Sequence, residues 1–285
     1  MKAYTLAQIQ AILQGLNLKD NQTLLIHSAL QNFGILQGYE IARIPQVWLH
    51  SLLELTSTHN LIVPTFNYDF PESHLEDLRF QQSKIGILNE EFRKIAPLRS
   101  THPMFNFCGF GRNAEKILQP TALETNPFLQ TSVFHRLFLE NALMLFLGID
   151  LRVCTFMVYV EAMFGVKYRF FKPFLGEVIT HNGQRLQGEF YHFCLPQSEK
   201  LKVSYHRIQQ DLLCANILRF FPLGGSGIYT FRAKEFFYFV QNRLRQEPFL
   251  LLETPPKTHY HWINNAEQII GGGAKSHKIL CNPLY

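Results

Sequence analysis

Two short apolar runs with an amphipathic segment between them constrain most of what this chain can fold into. TLLIHSAL, residues 23–30, follows a turn-like KDN and suits a buried strand that ends in polar side chains. Between Ile41 and Leu55 the residues Ile44, Val47, Trp48, Leu52 and Leu55 recur at helical spacing, and LIVPTF then reads as a second strand broken at Pro64. Strand, helix, strand is a βαβ unit, whose crossover is overwhelmingly right-handed and whose strands pair in parallel. Ligands of such sheets bind beyond the carboxyl ends of the strands, so His27, Ser28, Thr65 and Phe66 are expected on one rim.

The same reading extends along the chain. Leu6, Ile9, Ile12, Leu13 and Leu16 predict an opening helix with Thr5 as its N-cap. NYDFPESHLEDLRFQQSK is polar and irregular, a candidate lid, and ILNEEFRKIA after it reads as a helix. FNFCGFG and ALMLFLGI suit strands, while TFMVYVEAMFG is helical by the spacing of Phe156, Val160 and Phe164. Residues 168–195 look like an antiparallel hairpin bent at Asn182-Gly183. A helix around 205–220, a strand at SGIYTF and a helix from Ala233 to Leu244 follow. The expected architecture is α/β: a mixed, largely parallel central sheet flanked by helices, with the hairpin as an appendage. One domain over residues 1–254 and a tail over 255–285 account for the chain.

With 47% hydrophobic residues, 26 of them Phe, and 17% charged, the chain has ample apolar surface for a core. Its net charge of +5 is spread rather than striped, which argues against a nucleic-acid partner. Five cysteines at wide spacing, with no C-x-x-C pair, indicate neither a disulfide framework nor a zinc cluster. The N-terminus has no continuous apolar core of a signal peptide, and ALMLFLGI is far shorter than a membrane span, so a cytoplasmic protein without membrane attachment is expected. His259-Tyr260-His261 and Gly271-Gly272-Gly273 lack ligand-spaced partners and a preceding strand, and read as a flexible tail; no metal is expected.

Several segments gain meaning together: LLIHSALQNFGIL, LIVPTF, GILNEEFRK, RSTHP, LFLGIDLRVCTFMVYVEAMFGVKYRFFKPF and FRAKEFFYFVQNRL. In order and spacing they resemble the aminoglycoside 3-N-acetyltransferase family, over roughly residues 5–250. The resemblance implies an α/β fold unlike that of GNAT acetyltransferases, acetyl-CoA as cosubstrate, and a small-molecule amine as acceptor. It also implies roles for particular residues. His27 and Ser28 match the first two positions of the family's His-Ser-Ser strand end, and Ala29 replaces the third. With Thr65, and with Arg99 and Ser100 of Arg99-Ser100-Thr101-His102-Pro103, they are expected on the cosubstrate side.

On the acceptor side the family pattern is Thr-x-x-His-x-x-Glu on a helix, where three-residue spacing lets the carboxylate orient an imidazole base. Thr155 and Glu161 match, but Val158 occupies the histidine position, and Arg152 and Cys154 stand where the family often has Asp and Asn. An attacking amine must be neutral and must pass on a proton, and valine cannot accept one. His102, His27, Glu161 or an acceptor amine of lowered pKa are the alternatives. Thr155, His102 and Glu161 are the candidate catalytic residues, and Arg152 and Glu161 the candidate acceptor-binding ones. Arg152 would oppose a polycation and suit an amino sugar bearing a carboxylate or phosphate. The expected function is N-acyl transfer from CoA to an amino-sugar or aminoglycoside-like amine, the rival being a catalytically impaired homologue that binds a CoA-like ligand, a sugar or a protein.

Overall fold

Alternation of side chains along one central strand organises the molecule, seen in a computed structural model that describes residues 2–119, 121–196, 200–257, 260–263 and 266–269. In chain order the N-terminal half comprises β1 (Ala3–Tyr4), α1 (Leu6–Gln14), β2 (Thr23–Ser28), β3 (Ile35–Leu36), α2 (Ile44–Leu53) and β4 (Asn60–Pro64). Then come α3 (Phe70–Ser73), β5 (Leu75–Asp77), α4 (Ile87–Ile95), β6 (Leu98–Arg99), β7 (Phe107–Phe110), α5 (Ala114–Leu118), α6 (Val133–Leu139) and β8 (Leu143–Leu147). The rest is α7 (Thr155–Phe164), β9 (Phe170–Ile179), β10 (Arg185–Cys194), α8 (His206–Cys214), β11 (Arg219–Leu223), β12 (Ser226–Arg232), α9 (Ala233–Gln246) and the pair β13 (Tyr260–Ile263) and β14 (Ala266–Ile269).

The central sheet has seven strands in the order β11-β12-β8-β2-β4-β7-β6. Strand β2 pairs in parallel with both β4 and β8, as the βαβ reading requires. Within this sheet parallel pairing is confined to these three central strands, and antiparallel strands extend it on both sides. Such a mixed sheet has helices on both faces, so its middle strands are apolar on both faces, with polar residues only at their ends. Leu24 and Ile26 of β2 join the cluster containing Trp48 and Leu52 of α2 and Phe92 of α4. Leu25 joins the other, with Phe134 of α6, Phe156 of α7 and Phe236 of α9. Each of these fully buried side chains contributes about 1.5–3 kcal/mol of transfer free energy.

Local signals explain where the elements begin and end. Thr5 caps α1 in a reciprocal box: Gln8 N donates to Thr5 Oγ1 at 3.2 Å, and Thr5 N to Gln8 Oε1 at 2.9 Å. Helix α7 stops at Gly165, whose φ of 76° is left-handed. The hairpin forms as expected, with Gly183 at φ 83° in its turn.

The polar excursion after β4 is not a free lid. Its strand β5 pairs in parallel with β9, making a three-stranded sheet in the order β10-β9-β5. Gly176 of β9 permits this join, since a Cβ there would lie 2.4 Å from the His74 carbonyl oxygen. Among the described residues no helix is long and apolar enough to cross a membrane. His259 and Gly271-Gly272-Gly273 lie outside the described residues.

Candidate active site

The carboxyl ends of β8, β2 and β4 open into a cleft of about 1530 Å³. Period-two alternation sends successive β2 side chains to opposite faces, so His27 and Ser28 serve different walls of it. The His27 ring stacks on Phe146, with centroids 4.8 Å apart and planes at 11°, on the α7 side. It is 5% exposed, its buried Nε2 has no hydrogen-bond partner among the described residues, and burial pulls its pKa down to about 4. His27 is therefore a neutral imidazole at physiological pH.

Ser28 faces α4. Its hydroxyl donates to Asn89 Oδ1 at 3.0 Å, while Asn89 Nδ2 donates to the Pro64 carbonyl at the end of β4 at 2.8 Å. Asn89, 2% exposed, thus ties together two parallel strand ends in the cleft wall.

On α7, Thr155 and Val158 line the cleft and Glu161 does not. One turn beyond Val158, the Glu161 carboxylate is completely buried. Tyr168 donates its hydroxyl to Oε1 at 2.8 Å, and Arg169 Nε lies 3.1 Å from Oε2. Burial opposes the Arg169 charge, and the Glu161 carboxylate together with Tyr205 and Tyr168 more than offsets it, so the guanidinium is held in its charged form. Arg169 itself lines the cleft, so the carboxylate is committed to a cation that shields it from any ligand.

The Arg-Ser-x-His-Pro segment is also elsewhere. Arg99 is 4% exposed and its fork is filled by internal acceptors: Nε donates to Asn106 Oδ1 at 2.9 Å, Nη2 to Gln81 Oε1 at 2.7 Å, and Nη1 to the carbonyls of Gln81 and Leu78. Four of its five N–H groups are so engaged, which leaves no paired fork of donors for a phosphate. The Ser100 hydroxyl accepts from Phe107 N at 2.9 Å, and Thr65 donates to Asn106. His102 is fully buried, and its Nδ1 accepts from the backbone N–H groups of Met104 and Phe105 at 3.2 and 3.0 Å. Protonating that nitrogen would break both bonds, and burial with the neighbouring His192 holds the pKa near 3. None of Thr65, Arg99, Ser100 and His102 lines the cleft; they join the strand ends to the 77–81 loop and to the chain around Phe105.

Arg152 lies on the rim, but its charge is answered. Asp150 takes it in a bidentate pair, Nε to Oδ1 and Nη2 to Oδ2 at 2.8 Å each, and the Arg152 side chain is 75% exposed. The expected repulsion by Arg152 is therefore muted. Cys154 is buried, and burial pushes its thiol up to about 12, so it offers no thiolate.

The family model for aminoglycoside 3-N-acetyltransferase matches residues 25–245, a span that holds the cleft-forming strand ends, α4 and α7. The chain belongs to this family. Its fold is similar to that of the solved aminoglycoside acetyltransferase AAC(3)-IIb, with a TM-score of 0.70 at 18% identity over 87% of this chain and 98% of that one. It is similar as well to AAC-IIIb, solved as a binary complex with CoASH, at TM-score 0.69 and 18% identity over 89% and 100% of the two chains. YokD from Bacillus subtilis gives 0.67 at 19% identity over 85% and 100%. No curated protein matches the sequence.

Within this family fold the cleft contains residues that the sequence patterns did not single out. Asn89 was recognisable as a polar residue on the buried face of α4, one position after Leu88 and three before Phe92. His192 lines the cleft from β10, where alternation puts it on the same face as buried Phe190 and Cys194. Burial, with Arg169 and Lys172 nearby, draws its pKa down to about 3. Lys200 and Lys202 complete a lining whose described charged residues are four cations, Arg152, Arg169, Lys200 and Lys202, and one carboxylate, Glu253, 3.9 Å from Lys202.

Proposed function

We propose that this family member is a CoA-dependent N-acyltransferase that carries an acyl group, acetyl in the first instance, to an amine of an amino sugar or aminoglycoside-like acceptor. The observation that carries this reading is the cleft beyond the parallel strand ends. It has apolar walls, cationic residues, and room for an extended thioester arm beside a small acceptor. Lys200 and Lys202 suit the phosphates of acyl-CoA, and Phe66, Phe105 and Val153 suit its apolar arm. The thioester, once bound, supplies an activated acyl carbon. His27 and Thr155 flank the space where the amine would approach, with Val158 in place of a positioned base.

The charge of the lining speaks to the acceptor. At an effective dielectric of 20, like charges about 8 Å apart repel by about 2 kcal/mol, a factor of about 30 in binding. Asp150, Glu161 and Glu253 offset the charges of Arg152, Arg169 and Lys202, so this figure is an upper bound at those three, and an acceptor with several ammonium groups meets more of the remainder than a singly charged amino sugar does. Calorimetry with acetyl-CoA, followed by CoA release against amino sugars and aminoglycosides, tests both statements. The expected result is binding below millimolar acetyl-CoA, and kcat/KM at least tenfold higher for singly charged amino sugars than for gentamicin-like polycations. Absence of binding at millimolar acetyl-CoA overturns the reading, and efficient turnover of polycations overturns its acceptor half. Binding without transfer to any amine would favour the impaired homologue, a reading motivated by Val158 on the cleft wall and by a Glu161 already committed to Arg169.

A further inference from the structure

The hydrogen-bond network at the end of β2 dictates the polarity of one side chain in the cleft. The Pro64 carbonyl can only accept, so the Asn89 amide must present its N–H there, and its Oδ1 is thereby turned to Ser28. Oδ1 can only accept as well, so the single hydroxyl proton of Ser28 is committed to Asn89. What Ser28 has left is lone pairs, and Ser28 lines the cleft. The arrangement is tightly held: Asn89 is 2% exposed, and a Cβ added at Gly86 would lie 2.7 Å from its Oδ1.

Resting on the acyltransferase reading, we infer that Asn89 is a positioning residue that makes the Ser28 hydroxyl a hydrogen-bond acceptor for an N–H group of the bound ligand. Ser28 then cannot donate to the oxyanion that forms on acyl transfer. The N–H has two sources, an amide of the pantetheine arm of acyl-CoA or the amine of the acceptor, and both use the same lone pairs.

The test is a cycle of the parent, Ser28→Ala, Asn89→Ala and the double variant, with Asn89→Asp as a fifth protein. Acetyl-CoA dissociation constants come from calorimetry, and acceptor KM from CoA release at saturating acetyl-CoA. One lost neutral hydrogen bond weakens binding about threefold to tenfold. If the N–H belongs to acyl-CoA, each single Ala variant shows that loss in the dissociation constant. If it belongs to the acceptor, the dissociation constants stay equal and KM rises by the same factor. In either case the double variant loses no more than Ser28→Ala, because Asn89 acts through the hydroxyl. Asn89→Asp keeps an acceptor for the Ser28 proton and, protonated in this buried place, donates its own O–H to the Pro64 carbonyl, so it is expected to stay within about threefold of the parent. Equal constants across the whole cycle overturn the inference, as does a loss from Asn89→Ala that persists when Ser28 is already Ala. Should Asn89→Ala fail to fold, the contrast between Ser28→Ala and Asn89→Asp decides, and matching losses in those two count against it. Failure of the parent to bind acetyl-CoA overturns the acyltransferase reading and this inference with it, whereas a binding parent with an invariant cycle overturns the inference alone.

Discussion

His27, His102 and His192 all sit in surroundings that hold them neutral, with pKa values of about 4, 3 and 3. In the unfolded chain each takes up a proton below about pH 6.5. The unfolded state then binds more protons than the folded one, so stability falls as pH drops from about 6.5 toward 4, and these groups leave it unchanged above that window. Each contributes about 1.4 kcal/mol per pH unit to the slope. His102→Asn is an informative change, because an asparagine side chain can accept the same backbone N–H groups of Met104 and Phe105 without titrating. Urea unfolding between pH 6 and pH 4 should show the slope reduced by about 1.4 kcal/mol per unit, and an unchanged slope would mean that His102 is not held neutral in the fold. The motif around Arg99 and His102 was plain in the sequence, but its role was not. A buried fork of donors and a phosphate-binding fork have the same side chains, and only the acceptors around them differ.

At the scale of elements, α7 carries the departure from the family pattern. Val158 lies on the cleft wall, so Val158→His would put an imidazole where a ligand could meet it. A positioned general base contributes about 10² to 10⁴ in rate. Since Glu161 is already held by Tyr168 and Arg169, the new imidazole would be poorly oriented, and the gain belongs at or below the lower end, about tenfold to a hundredfold. CoA release with an amino-sugar acceptor measures it, and a variant that binds acetyl-CoA yet is no faster than its parent would show an acceptor pocket rebuilt beyond position 158. The positions of α7 and the hairpin were legible from their period and turn, and those of β2 and β4 from their continuous apolar runs. Strand β11 and helices α5 and α6 were not, since RFFPL carries a proline and no alternation, and helices of five and seven residues hold too few turns to show a period.

Across the whole molecule, the Glu161–Arg169 pair joins α7, which packs on the central sheet, to the start of the hairpin that closes the cleft. Removing one member of a buried pair leaves the other charge uncompensated, at a cost of about 3–5 kcal/mol, whereas replacing both by apolar residues is often neutral. Glu161→Gln should therefore lower the denaturation midpoint markedly, and adding Arg169→Met should recover most of the loss. If Glu161→Gln unfolds at the parent's midpoint, the carboxylate is not the structural partner described here. Sequence alone determined the βαβ core, the hairpin, the family and the strand-end location of the cleft. The core, the hairpin and the cleft's place follow from period and order, and the family from the resemblance of its motifs, all of which are properties of the chain read in one dimension. It could not tell which polar residues face a ligand and which face one another. Thr65, Arg99, Ser100 and Glu161 were expected in the site, yet their partners are Asn106, Gln81, Phe107 and Arg169, residues that approach them only when strands and helices pack, while His102, expected there too, is taken up by the backbone of its own turn. A buried donor or acceptor is satisfied by whatever group the fold places within about 3 Å, and that distance exists only in the tertiary structure.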